Sequence, residues 1–264
     1  MADYEHLSVG CEDAVATVAL ARPDARNALN EGLIEEIRRS VEELAEDDNV
    51  RAVVLTGEGD YFCAGADIGH MRDTANFSYE DNLQDARNLA AMFGAIEECP
   101  KPVVARIKGA AIGGGVGLVA AADIGVAEEG TVFAFTEVRL GISPATIAPF
   151  VLRKIGYSQT RALFLSGERF DAEKARGIGL VHEVAAEGDL DSAVQEKVEG
   201  LLKGGPEALA ATKALLRELR DAEPGEEATE IMAWRIAELR TGEEGQEGLG
   251  AFLEKREPAW REEL

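Results

Sequence analysis

Two glycine-rich stretches, about fifty residues apart, constrain the fold of this 264-residue chain more than any other feature. They are Tyr61–Ile68 (YFCAGADI) and Gly109–Gly117 (GAAIGGGVG), and each follows an apolar, strand-like run and opens a helix-like run. Free backbone N–H groups gather at the start of a helix, where they can hold negative charge. Either stretch alone would indicate a tight turn, but two sets of donors aimed at one point indicate an oxyanion hole.

The remaining pattern alternates strands with helices over the first 140 residues. Alternation in Ala14–Leu20 predicts the second strand of a hairpin that begins near Leu7. Asn30 is a candidate N-cap for a helix, and Ala52–Leu55 reads as a buried strand. Further predicted elements are a helix over 79–97, a strand at Val103–Ile107, a helix from Gly114, and strands at Ile124–Val126 and Val132–Phe135. This alternation predicts one large α/β domain with parallel strands.

From Pro144 onward the pattern is helical, and a short strand near Leu180–Val181 is its one predicted interruption. Pro206 is placed at the first turn of a helix, and Gly242 separates two helical stretches. The Glu- and Gly-rich residues 221–248 leave room for a mobile loop.

Composition excludes several functions. A formal net charge of −23 argues against nucleic acid or an anionic membrane as a partner. The scattered acidic residues suggest instead a protein adapted to high salt. Cys11, Cys63 and Cys99 form an odd set without metal-ligand spacing, which suits a reducing cytoplasm and predicts no metal site. No signal-peptide core or membrane-length apolar run is visible, so we expect a soluble, cytoplasmic protein. Neither glycine stretch has the spacing of a phosphate loop or a dinucleotide fold.

Several ordered motifs resemble the crotonase family, also called the enoyl-CoA hydratase/isomerase superfamily. They are the two glycine stretches, Ala21–Asn30 (ARPDARNALN), Thr136–Pro144 (TEVRLGISP) and Ser166–Val181 (SGERFDAEKARGIGLV). The resemblance implies an α/β spiral of repeated ββα units over residues 1–200, followed by a C-terminal helical trimerisation region over 201–264. It also implies a homotrimer or homohexamer.

The resemblance further implies an acyl-CoA hydratase that adds water across the 2,3-double bond of an enoyl-CoA thioester. The enolate would be held by the backbone N–H groups of Ala66 and Gly114, with Glu137 as the acid/base. No metal or redox cofactor is implied, because CoA arrives as part of the substrate. Further substrate or CoA contacts are expected from Ala25, Arg26, Ala28, Ala64, Gly65, Asp67, Ile68, Gly113, Gly117, Pro144, Phe252 and Lys255. Arg22 is a second candidate for a phosphate contact.

The sequence departs from the family at Gly117, where hydratases with two catalytic glutamates carry the second one. One reading is an enoyl-CoA isomerase that uses Glu137 as its single base. The other is a hydratase in which Glu137 performs both proton transfers and the water is held by backbone groups or by a hydroxyl such as Thr136 or Thr146. We favour the second, because the context resembles a methylglutaconyl-CoA hydratase-like subgroup that also lacks this glutamate. An inactive CoA-thioester-binding protein is the alternative of another class.

For the other polar residues near the motifs, we prefer a structural role to a catalytic one. Asp67 is expected to cap a helix, and Cys63 lacks a basic neighbour that would activate it. Arg139 is expected in an exposed salt bridge, although it is also a candidate to read a carboxylate on the acyl tail. His6, His70 and His182 are expected to be surface or satisfied core residues. Phe252 is a candidate wall of the acyl pocket or, equally, a residue packed within a terminal helix.

Overall fold

The computed structural model describes residues 3–222 and 225–262, which form two sheets surrounded by helices. The strands are β1 (Leu7–Glu12), β2 (Val15–Leu20), β3 (Ala52–Gly57), β4 (Val103–Ile107), β5 (Ala110–Ile112), β6 (Ile124–Glu128), β7 (Val132–Ala134), β8 (Arg169–Asp171) and β9 (Glu183–Ala185). The helices are α1 (Glu31–Glu46), α2 (Ile68–Thr74), α3 (Tyr79–Glu98), α4 (Gly114–Ala121), α5 (Ala148–Ser166), α6 (Ala172–Gly177), α7 (Leu190–Leu202), α8 (Pro206–Asp221), α9 (Glu226–Thr241), α10 (Glu243–Glu254) and α11 (Ala259–Glu262).

The larger sheet has six strands in the order β1-β2-β3-β4-β6-β9. Only β1 and β2 pair antiparallel in it, because they form the hairpin predicted from Leu7, and the strands that follow pair in parallel. The smaller sheet has the order β5-β7-β8. Since β4 belongs to the first sheet and β5 to the second, the chain moves from one sheet to the other just before the second glycine stretch.

Helix α1 shows how the sequence pattern determines the packing. The Asn30 side chain accepts a hydrogen bond from the Leu33 N–H at 2.9 Å, which caps the helix as predicted. Its buried apolar positions are Leu33, Ile34, Ile37, Val41 and Leu44, all at helical spacing. This stripe faces the main core between the larger sheet and α3.

Helix α8 is joined to the core by buried polar contacts. Lys213 Nζ lies 2.6 Å from Asp123 Oδ2 and donates to the Lys101 carbonyl at 3.0 Å. Beside them, the buried Lys154 ammonium donates to the Ala122 and Asp123 carbonyls, and burial lowers the pKa of Lys154 to about 8. These contacts connect a C-terminal helix to the loop between α4 and β6.

Two details of the C-terminal half differ from the sequence prediction. The strand β8 was not predicted, because its three residues continue a helix-like pattern. The last strand, β9, begins at Glu183, beyond the predicted Leu180–Val181. Most of residues 221–248 lie in α9 and α10. The mobile loop expected within this range falls between α8 and α9, where residues 223 and 224 lie outside the described part of the chain, so it stays a prediction. Within that described part, no helix is both long and apolar enough to cross a membrane.

We predict that salt stabilises this protein. The chain carries a formal charge of −23, and self-repulsion of like charges destabilises a compact state until counterions screen it. Moving from dilute buffer to molar KCl should raise the free energy of unfolding by at least about 1 kcal/mol, which raises the Tm by about 2–4 °C for a domain of this size. Thermal unfolding followed by circular dichroism measures this shift. A Tm that falls as KCl is added would contradict the prediction.

Candidate active site

The first glycine stretch runs alongside the segment that precedes α1. The Ala64 N–H donates to the Arg26 carbonyl at 3.0 Å, and the Leu29 N–H donates to the Gly65 carbonyl at 2.7 Å. The Asp67 N–H then donates to the Leu29 carbonyl at 2.9 Å, so Ala66 and Leu29 form a parallel bridge. Two segments predicted to contact CoA are therefore held side by side.

Asn27 organises this region, and the sequence analysis did not single it out. Its side chain is fully buried, and its Nδ2 donates to the carbonyls of Glu58 and Tyr61 at 2.9 and 2.7 Å. Its Oδ1 accepts from the Arg22 N–H at 2.9 Å. A buried amide with its hydrogen bonds satisfied fixes the two loops relative to each other. The available signal was an Asn directly before the apolar pair Ala28 and Leu29 in the Ala21–Asn30 motif.

The two predicted donor groups are free. Within residues 3–222 and 225–262, neither the Ala66 N–H nor the Gly114 N–H has a hydrogen-bond acceptor. Both lie against Leu29: Ala66 is bridged to it, and an ideal Cβ at position 114 would stand 2.8 Å from Leu29 Cδ1. Ala66 is exposed and Gly114 is half-buried, so both groups are open to a ligand. Gly114 also begins α4, whose positive end favours negative charge.

Glu137 lies beside the second glycine stretch, at the start of a short 3-10 turn after β7. An ideal Cβ at Gly113 would stand 2.9 Å from Glu137 Oε1, so the carboxylate lies against the residue that precedes Gly114. Its Oε2 is buried and has no hydrogen-bond partner in the described residues. Burial raises the pKa of Glu137 above its ordinary value, although its own backbone N–H partly offsets this. An unpaired carboxylate with a raised pKa is suited to proton transfer.

Gly117 lies where a second carboxylate would be expected, and the space beside it is filled. An ideal Cβ at this position would stand 2.4 Å from Ile147 Cγ2 and 2.8 Å from the ring of Phe93. Both of these side chains are fully buried, so they cannot move aside easily. Gly117 itself is buried in α4. The structure therefore excludes a glutamate at 117 without rearrangement of this core.

We predict that Gly117→Ala destabilises the protein by about 1–3 kcal/mol, because the added methyl group overpacks the contact with Ile147 and Phe93. Gly200→Ala in α7 is a matched control, because an ideal Cβ there meets no atom within 4 Å. The control should be neutral or stabilising by up to about 1 kcal/mol, since alanine favours helix. Urea unfolding of both variants measures the difference. Equal stability of the two variants would contradict this account of position 117.

Asp67 caps α2, as predicted. Its Oδ1 accepts from the N–H groups of Gly69 and His70, and its Oδ2 lies 2.9 Å from Arg22 Nη2. Burial acts to raise the pKa of Asp67, but hydrogen bonds from the His70 N–H, the Arg22 guanidinium and the Gly69 N–H outweigh it, so the pKa is lowered. Arg22 also donates to the Ala28 carbonyl. Both residues therefore stabilise the loops in this structure.

Cys63 lies within the first glycine stretch and is fully buried. Burial raises the pKa of Cys63 to about 12, partly offset by a hydrogen bond from the Gly65 N–H. A thiol with such a pKa is protonated at neutral pH and is a poor nucleophile. This agrees with the structural reading made from the sequence.

The remaining candidates are more dispersed. Arg26 is exposed and its guanidinium lies 5.2 Å from the centre of the Tyr61 ring. Phe252 is 80% exposed on α10, so packing of Phe252 within the chain is wrong. The exposed Lys255 ends α10, whose main helix contacts are with α8 and α9. The other predicted contact positions are Ala25, Ala28, Ala64 and Gly65 in the two paired segments, exposed Ile68 at the start of α2, and buried Pro144 before α5.

Arg139 lies in the same 3-10 turn as Glu137. It is exposed, and its Nε stands 3.2 Å from an ideal Cβ at Gly167. No carboxylate in the described ranges, 3–222 and 225–262, lies within ion-pair distance of it. The predicted exposed salt bridge is therefore wrong for this part of the chain.

Comparisons with known proteins identify the family and the fold of this chain. Residues 10–263 match the model of the enoyl-CoA hydratase/isomerase family. A Thermus thermophilus protein named as an enoyl-CoA hydratase is 34% identical over 247 residues, which cover 92% of this chain and 96% of that protein. A peroxisomal Δ(3,5)-Δ(2,4)-dienoyl-CoA isomerase from Arabidopsis thaliana is 29% identical and is covered over 98% of both chains. The crystal structure of an enoyl-CoA hydratase from Shewanella pealeana superimposes with a TM-score of 0.94, at 38% identity and with 97% and 96% of the two chains covered.

Proposed function

Because this chain belongs to the enoyl-CoA hydratase/isomerase family and is an enzyme of that family, we propose that it is an acyl-CoA hydratase with one catalytic carboxylate. It adds water across the 2,3-double bond of an enoyl-CoA thioester. Glu137 carries the protons, and the N–H groups of Ala66 and Gly114 hold the enolate oxygen. The proposal goes beyond the family, whose members include isomerases.

The observation that carries the proposal is the state of the Glu137 carboxylate. One of its oxygens is buried without a partner, and the carboxylate lies against Gly113, next to the free N–H of Gly114. A buried acceptor without a partner is costly unless a ligand or water uses it. Glu137, the proposed proton carrier, therefore lies close to the Gly114 N–H, which is proposed to hold the developing negative charge.

The reaction then needs two proton transfers at one carboxylate. Glu137 takes a proton from water while the water oxygen bonds to the β-carbon, and the electron pair of the double bond moves to the thioester oxygen. The resulting enolate is held by the two N–H donors, each worth about 10²–10³ in rate. Glu137 then returns its proton to the α-carbon on the same face. A raised pKa favours this role, because the group must both accept and give up a proton near neutral pH.

An isomerase is the second candidate, and the packing at Gly117 favours it. Ile147 and Phe93, both fully buried, fill the space of a second carboxylate, so apolar side chains pack against α4 at this point. A 1,3-proton shift needs only one base and no bound water. We keep hydration as the main proposal because Thr146, half-buried beside Ile147, and Thr136, next to Glu137, offer hydroxyls that can hold the water.

We also make proposals about the position of the substrate, the cofactors, the localisation and the oligomeric state. We propose that the acyl-CoA lies along Ala64–Ile68, that no metal or redox cofactor takes part, and that the protein is a cytoplasmic homotrimer or homohexamer. The exposed side chains of Phe252 and Leu253 on α10, at 80% and 78% exposure, support an association through the C-terminal region. The substrate class with a branched or carboxylated tail, as in methylglutaconyl-CoA, is the acyl group that we favour.

The proposal is tested by incubating the protein in high salt with crotonyl-CoA, 3-methylglutaconyl-CoA and a 3-enoyl-CoA separately, then separating the products by chromatography against isomer standards and determining their masses. A gain of one water on a 2-enoyl thioester is expected. A mass-neutral shift of the 3-enoyl double bond without hydration would make the protein an isomerase. Binding without turnover of any of the three would favour an inactive CoA-thioester-binding protein.

A further inference from the structure

Helix α2 follows directly after the donor segment, yet it has no buried residue of its own. It spans seven residues from Ile68 to Thr74, and each of its side chains is at least partly exposed. A helix this short is not stable in water by itself. Its position must therefore be determined by specific contacts at its ends and along its length.

One such contact joins α2 to α3. His70 Nε2 lies 3.0 Å from Asp85 Oδ1, and both side chains are largely buried, at 13% and 25% exposure. At the start of α2, Asp67 is held by Arg22, and near its end Asn82 donates to the Thr74 carbonyl at 3.3 Å. The contact of His70 with Asp85 is the shorter of the two links to α3.

Helix α3 is itself anchored below the site. Its N-terminal half is mostly exposed, whereas Met92, Phe93 and Ile96 in its C-terminal half are fully buried. The Phe93 ring lies against Gly117, and its tip is 4.0 Å from an ideal Cβ at Gly114. Helix α3 therefore contacts α4, which begins with the Gly114 N–H, directly. It contacts α2, which follows Ala66, through His70 and Asp85.

We propose that His70 and Asp85 are positioning residues that hold α2, and with it the Ala66 N–H, in place for the reaction. This inference rests on the proposed function, since it assigns Ala66 as a donor to the enolate. The path is short, because the Met71 N–H donates to the Asp67 carbonyl at 2.8 Å and Asp67 follows Ala66. A tilt of α2 therefore moves the donor. A displacement of about 1 Å at a reacting group can cost about 10² in rate.

The test compares His70→Gln, Asp85→Asn and the double variant by kcat, KM and hydrogen exchange of the α2 amides. Each single variant should lower kcat about tenfold with little change in KM, and the double variant should be no worse than either single one. Exchange in α2 should accelerate, while the Tm should change little because no residue of α2 belongs to the hydrophobic core. Asp85→Glu should restore part of the lost kcat.

Glu183→Gln is the matched control. Glu183 on β9 forms a partly buried ion pair with Lys197 at 2.7 Å, and the substitution removes the charge of Glu183. It should leave kcat and α2 exchange unchanged. Unchanged kcat in Asp85→Asn, or a kcat loss accompanied by an equal effect of Glu183→Gln, would overturn the positioning role. A wild-type protein without turnover of any enoyl-CoA would instead overturn the proposed function, and exchange would still report whether the pair holds α2.

Discussion

Replacing Glu137 with Gln is expected to lower kcat by about 10²–10⁴, the range that general acid–base groups contribute. The amide keeps the size of the carboxylate but cannot accept a proton from water or return one to carbon. Initial rates with the best thioester of the panel measure the loss. Glu129→Gln, at an exposed glutamate after β6, is the matched control and should keep full activity. A Glu137→Gln protein with normal turnover would show that the site has been assigned wrongly.

The same substitution should not destabilise the fold at neutral pH. Burial raises the pKa of Glu137, so the folded protein holds this proton more tightly than the unfolded chain does. Stability from the protonated group is fully present below the unfolded pKa and is lost as the pH rises through the folded pKa. At neutral pH the ionised carboxylate is therefore unfavourable, and a neutral amide removes this cost. The loss of activity should accordingly occur without loss of Tm.

Replacing Gly114 with Pro is expected to lower kcat by about 10²–10³, because proline has no N–H to donate to the enolate. Position 114 is the first residue of α4, where proline is well tolerated in helices. The effect of an added Cβ on kcat is measured separately with Gly114→Ala. An ideal Cβ at 114 meets the flexible end of Leu29 at 2.8 Å, so alanine introduces the Cβ contact of proline, without its Cγ and Cδ, and keeps the donor.

These two variants differ in the N–H group and in the ring carbons Cγ and Cδ of proline, and equal Tm values would show that the ring carbons are accommodated. We expect Gly114→Ala to retain most of its activity and Gly114→Pro to lose it, with similar Tm values for both. Equal loss in the two variants would attribute the effect to crowding at Leu29 and would remove Gly114 from the donor pair.

Much of this arrangement could be predicted from the sequence, because it depends on local patterns. The cap at Asn30, the helix from Gly114 and the cap at Asp67 each depend on residues within one turn, and all three were confirmed. Local patterns also predicted the strand at Val103–Ile107 with its correct bounds. The roles assigned to Ala66, Gly114 and Glu137 remain predictions, but their open donors and unpaired oxygen agree with them.

What could not be predicted depends on contacts between distant parts of the chain. The short strand β8 pairs with β7 from 35 or more residues away, and its own three residues carry no strand signal. The closure of the space at Gly117 required Phe93 and Ile147, which belong to different segments of the chain. Likewise, His70 reads as an isolated histidine until α3 brings Asp85 to it.

The most direct test of the account is the product formed from a 2-enoyl-CoA in water labelled with oxygen-18. Wild-type protein should transfer one labelled water to the thioester, and Glu137→Gln should transfer none above background. An unlabelled product in which only the double bond of the 2-enoyl substrate has moved would contradict hydration and establish an isomerase. Labelled product formed equally by Glu137→Gln would contradict the central claim that this single carboxylate carries the protons.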